Sequence, residues 1–170
     1  MMFSRRWTGG VVLLAIGVLG CSKPDGVPTG NPAVRSEVLA AAEPAGGIGV
    51  AEARKSAKDG GEVVVIGRIG GSEKPFVSSL AAFTIVDPAL PHCPPDEGCE
   101  TPWDYCCDTN AVKDNIAMIK LVDKDGKVLP SSAATVLGAK ELALVVVKGT
   151  ASRGVDGTLT VMSREVFVRP

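Results

Sequence analysis

The chain is poor in the residues that most chemistry needs. It has one histidine, one tyrosine, two tryptophans and four phenylalanines among 170 residues. A basic excess is missing as well, because 18 Lys and Arg face 19 Asp and Glu. Nucleic-acid binders draw most of their affinity from phosphate contacts, and single-strand binders add stacking aromatics. The balance and the sparse phenylalanines, Phe76, Phe83 and Phe167, disfavour nucleic acid as a partner. No apolar run approaches the roughly twenty residues of a membrane-spanning helix. No Ser-His-Asp arrangement and no paired carboxylates stand out, so no catalytic residue is assigned and no enzyme is expected. Gly46-Gly47-Ile48-Gly49 lacks the third glycine and the preceding strand of a dinucleotide fingerprint. Asp123-Lys124-Asp125-Gly126 lacks the later acid of a calcium loop and reads as a hairpin turn.

What is present begins with a targeting pattern. Arg5 and Arg6 supply a positive start, Val11 to Leu19 is an apolar stretch, and small residues follow. The stretch ends in Val18-Leu19-Gly20-Cys21, which resembles the lipobox of bacterial lipoprotein precursors. That resemblance implies a signal peptide over 1–20, cleavage before Cys21, and diacylglycerol with palmitate-type chains on the Cys21 sulfur. It places the chain in the cell envelope, facing the periplasm or the exterior, with the membrane as a partner through a lipid anchor. Without Arg5 and Arg6 the 18 basic residues become 16 against 19 acids, a balance of −3. The compartment so implied favours disulfides.

Residues 21–49 are dominated by Pro, Gly, Ala and Ser and offer little bulky apolar surface. Ordering them would cost more entropy than burial returns, so a flexible tether is expected there, with the domain over 50–170. Val50 to Asp59 has helical spacing and ends at Gly60-Gly61. Strands are expected over Glu62–Ile69, Ala82–Val86, Ala117–Val122, Leu142–Ala151 and Leu159–Val168, with a short helix or turn in Ser131–Ala139. Gly67 suggests a bulge or bend in the first strand. The face of the last strand switches parity, which places a bulge near Ser163–Glu165. The order β-β-β-α-β-β resembles the OB-fold. The fold class expected is therefore mainly β: a small five-stranded OB-like barrel with one or two short helices and a long Cys-rich loop.

That loop, Pro88 to Asn115, holds Cys93, Cys99, Cys106 and Cys107, together with His92, Trp103 and Tyr105. Loops this long inside compact domains are functional or stapled. An even cysteine set in an oxidising compartment points to two disulfides, Cys93 and Cys99 pairing with Cys106 and Cys107 in either order. Each would close a loop of about ten residues and add about 3 kcal/mol. The alternative is a zinc or copper site drawn from His92, Cys93, Cys99, Cys106 and Cys107. Against it, adjacent Cys106 and Cys107 have trouble sharing one tetrahedral ion. A thiol redox role lacks the C-x-x-C pair it commonly uses. The run Thr101-Pro-Trp-Asp-Tyr-Cys-Cys107, with Phe83 to Pro88 before it, resembles a segment of small exported bacterial proteins of unknown function, which implies a family but no activity. The functional expectation is a membrane-anchored, non-catalytic binding module without a cofactor. Its disulfide-ordered loop would present Trp103 and Tyr105 to a protein partner in the envelope.

Overall fold

The computed structural model describes residues 32–170 apart from Pro95 and Glu97. The expected signal peptide, the expected lipidation site Cys21 and the first part of the expected tether lie outside the described residues.

The β-branched run after Gly61 forms β2, Glu62–Ile69, whose side chains alternate between the interior and the outer face. Along one edge it pairs antiparallel with β5, Leu144–Arg153, from Glu62 opposite Thr150 to Arg68 opposite Leu144. The other edge is shared. Its end meets β3, Ala82–Val86, and its middle takes the two-residue strand β1, Ile48–Gly49, in parallel. β3 continues antiparallel to β4, Ile116–Leu121. β4 runs parallel to β6, Leu159–Val168, and β6 returns antiparallel to β5. Five strands thus close into a mixed barrel in the order β2-β3-β4-β6-β5, and closure leaves the main strands without long open edges. The helix α4, Ala133–Leu137, lies between β4 and β5 in the chain. This is the OB-like barrel expected. Its interior holds Phe83, Ile85, Ile119, Leu121, Leu159 and Val161, all inaccessible to solvent.

The last strand carries its bulge where the parity switch places it. Lys148 faces Glu165 and the next pair is Gly149 with Ser163, so Arg164 is the extra residue. Buried Ser163 satisfies the irregularity: its hydroxyl donates to the Lys148 carbonyl at 2.8 Å and accepts from the Glu165 N–H at 3.0 Å. Gly67 has a different explanation from the one expected. The β2–β5 register runs through it without a break. A side chain there would meet the Ile85 side chain at 2.6 Å, so glycine is needed for close packing across the barrel.

The tether expectation fails for residues 32–49. Pro32–Val38 forms the helix α1, and Val38 enters the main core with Val34 and Leu39 packed beside it. Ala40 donates its N–H to the Val166 carbonyl at 2.9 Å, and Glu43 takes two hydrogen bonds from Arg169, at 2.6 and 2.9 Å. Val34 and Val38, one helical turn apart, and Leu39 beyond the helix end are enough when β6 and α4 provide the opposing surface. The folded unit therefore begins by Pro32. Next along the chain, α2 covers Val50–Ser56 and buries Val50 and Ala53. It is capped from a distance: buried Asp87, at the end of β3, accepts the Ala51 N–H at 2.8 Å. Asp87 thus has a structural task. Among the described residues, no helix is long and apolar enough to cross a membrane.

Candidate metal centre

The connection from β3 to β4 turns twice before it re-enters the barrel. Pro102–Asp104 and Cys106–Asp108 are single 3-10 turns, and the helix α3, Thr109–Asp114, follows. Between the two turns stands Tyr105 with φ 58° and ψ 36°, the left-handed region that non-glycine residues rarely occupy. Asp104 stabilises the corner by accepting the Thr101 hydroxyl at 2.7 Å and the Cys106 N–H at 2.8 Å. The Thr101 hydroxyl is the main cause holding the Asp104 carboxyl below its ordinary range. Asp108 then caps α3 by accepting the Ala111 N–H at 3.2 Å.

The turn is fastened to the barrel by contacts that involve no sulfur. Gly71 donates its N–H to the Trp103 carbonyl at 2.7 Å, and the Trp103 indole N–H reaches the Glu73 carbonyl at 3.0 Å. At Gly70 any Cβ would stand 2.5 Å from the Trp103 carbonyl oxygen and 3.1 Å from the Tyr105 ring. Tyr105 itself is 1% exposed, packed with Val86 and Val112 in a small second core beside Leu90 and Ile116. Its hydroxyl is buried without a hydrogen-bond partner among the described residues, and burial pushes its pKa up. Tyr105 is therefore not part of a contact surface, as the sequence reading had it. Its ring holds the connection down. Trp103 is half-buried and likewise engaged with the barrel.

This frame brings the four cysteines together. Cys93 Sγ lies 3.3 Å from Cys107 Sγ and 3.7 Å from Cys106 Sγ. Cys106 Sγ is 3.6 Å from Cys99 Sγ and 4.0 Å from Cys107 Sγ. All four sulfurs lie within 4.8 Å of one another. No pair is at the roughly 2.05 Å of a disulfide, so the expected disulfides are not formed here. The pattern is also not two isolated pairs, since Cys106 has three sulfur neighbours. A tetrahedron of thiolates around zinc at about 2.3 Å has S···S edges of about 3.8 Å. The four separations of 3.3 to 4.0 Å bracket that value. The left-handed Tyr105 sets the entry to the second turn, and from there adjacent Cys106 and Cys107 both reach the cluster. The steric objection from their adjacency therefore falls.

His92 does not join the four. It stands outside the cluster, its Nδ1 3.0 Å from the Cys93 carbonyl oxygen. Among the described residues these sulfurs are the one group of His, Cys, Asp or Glu donors that converges on a point. Burial falls across the set, with Cys93 buried, Cys99 intermediate, and Cys106 and Cys107 exposed. The Cys107 backbone N–H, directed at its sulfur, holds Cys93 below the ordinary thiol range. Hydrogen bonds with the Cys99 and Cys93 sulfurs, and then Asp104, push Cys106 up to about 12. A cleft of about 310 Å³ opens beside the cluster, lined by His92, Pro94, Tyr105 and Asp108 and by two of the four cysteines, Cys93 and Cys107.

The cysteines, the histidine and the aromatics were visible in the sequence. The docking residues Gly70, Gly71 and Glu73 were not, although a Gly-Gly pair directly after a strand was a usable signal. No family model and no curated protein matches the chain. The similar solved structures include two of the mitochondrial single-stranded DNA-binding protein Rim1 from S. cerevisiae. They are 19% and 18% identical, cover 65% of this chain and 96% of that chain, and superpose with TM-scores of 0.35 and 0.34. This corrects the sequence expectation about nucleic acid. Net charge and aromatic count were its grounds, and the structures found similar are of a single-stranded DNA-binding protein, which stands against it. A superposition this loose assigns no ligand to the chain.

Proposed function

We propose that the protein is an exported, lipid-anchored, non-catalytic module whose β3–β4 connection holds one metal ion on four thiolates. Zinc is the first choice of ion and copper(I) the second. The observation that carries the reading is the mutual approach of Cys93, Cys99, Cys106 and Cys107, with neighbouring sulfurs 3.3 to 4.0 Å apart. A tetrahedral set of four sulfurs suits zinc, and four protein ligands leave no open position for a catalytic water. The lipobox-like Cys21 supports the anchored location. In an oxidising compartment a bound ion would also keep the four thiolates from pairing.

The test joins metal analysis to thiol counting on the purified full chain. One equivalent of zinc per chain is expected. After denaturation without a reductant, alkylation should label all four loop cysteines. Cys99→Ser should lower zinc affinity at least tenfold while the barrel stays folded. A second reading has its own support, because the shortest separate contacts are Cys93 with Cys107 and Cys99 with Cys106. Two disulfides in that pairing would give no label before reduction and no zinc, and would overturn the metal reading. Mass spectrometry of the N-terminal peptide tests the anchor, which fails if Cys21 carries no acyl mass.

A further inference from the structure

The cleft beside the cluster has no part in holding an ion, yet it leads to two of the four ligands. We propose that it is an exchange port, through which the thiolate of a small thiol reaches the bound ion and carries it away or delivers it. The proposal rests on the tetrathiolate reading and adds to it that the ion is cargo rather than a structural staple.

Three observations carry it. First, the loop is positioned by groups other than sulfur. Gly71 and Glu73 hold Trp103, Asp104 holds the corner, and Tyr105 is buried against Val86 and Val112. In a structural zinc domain the binding energy is the folding energy. Here the frame has its own support, so an ion can leave without unfolding the loop. Second, Cys106 and Cys107 are exposed and Cys99 is partly so. An ion at their centre is within reach of an outside donor. Third, the cleft of about 310 Å³ is lined by Cys93 and Cys107 and not by Cys99 or Cys106. Its size, at the lower end of the range for small-molecule sites of roughly 300–1,000 Å³, fits a small molecule rather than a docked protein.

The exchange is a ligand substitution without change of oxidation state. The incoming thiol would lose its proton as its sulfur bonds the ion. The bond from the ion to Cys107 then breaks, and the freed Cys107 sulfur takes up a proton. Repetition at the remaining cysteines releases the ion on the small thiols.

The experiment follows transfer of zinc from the loaded full chain to a chromophoric chelator, with and without 2-mercaptoethanol. The release rate is expected to rise in proportion to the thiol and to exceed the thiol-free rate at least tenfold. Pro94→Trp, which fills the cleft, should reduce the thiol-dependent rate about tenfold at unchanged zinc content. His92→Ala, which widens the mouth, should keep or raise it. Release that ignores the thiol, or that is indifferent to both substitutions in zinc-loaded protein, overturns the port while leaving the metal site intact. Failure of the fully reduced wild-type chain to take up zinc defeats the metal reading itself, and the port with it.

Discussion

The barrel and the connection that crosses it are ordered by different physics. In the barrel, alternating Val, Ile and Leu residues on five strands fill one interior, and each strand is paired on both sides. Loss of one contact is shared by many neighbours. The connection from Pro88 to Asn115 has almost no aliphatic residues of its own before α3. It is held by a short set of fasteners: Gly70 and Gly71 beneath Trp103, Glu73 on the indole, and Tyr105 in a three-residue core. The difference teaches that a cysteine cluster need not be its own scaffold. The barrel supplies the surface, one aromatic ring supplies the adhesion, and the sulfurs remain available for chemistry.

That contrast can be broken from the barrel side first. Phe83 is fully buried in β3, and Phe83→Ala should cost about 3–5 kcal/mol. Denaturant unfolding should show the barrel and the connection failing together, because the connection has nothing else to rest on. A smaller and more selective change is Gly70→Ala, which pushes a methyl group into the Trp103 carbonyl. A cost of about 1–3 kcal/mol is expected for such overpacking. Hydrogen exchange should quicken in 101–108 and stay unchanged in β5 and β6. Equal acceleration in both regions would show that the connection is not a separate unit. The smallest effect has the opposite sign. The Tyr105 hydroxyl is buried without a partner among the described residues, so Tyr105→Phe should stabilise the protein by about 1 kcal/mol. A loss of stability would mean that the hydroxyl has a hydrogen-bond partner in solution.

Much of the barrel was legible in the chain. β2, β3 and β6 begin and end where β-branched runs meet turn residues, because alternation along a strand is a local property. The bulge at Arg164 was legible too, since an extra residue inverts the parity of everything after it. The packing of α1 was not. Val34, Val38 and Leu39 look too sparse to order a segment until β6 and α4 are seen opposite them. Gly67 was read for backbone freedom, when its cause is a side chain arriving from another strand. At the site, residue types and their crowding into one loop were plain. The choice between paired and clustered sulfurs was not, since it depends on the conformation of Tyr105 and on what lies beneath Trp103.

By itself the amino-acid order determined the strand sequence of a small OB-like barrel and the concentration of soft ligands in a single connection. Periodicity and composition act within a few residues, and they can be read without a fold. Only the tertiary structure decided that residues 32–49 belong to the folded unit, that Tyr105 is an anchor rather than a contact, and that four sulfurs share one point while His92 stands aside. Each of those outcomes depends on atoms distant in the chain meeting within a few ångströms, which no local pattern encodes.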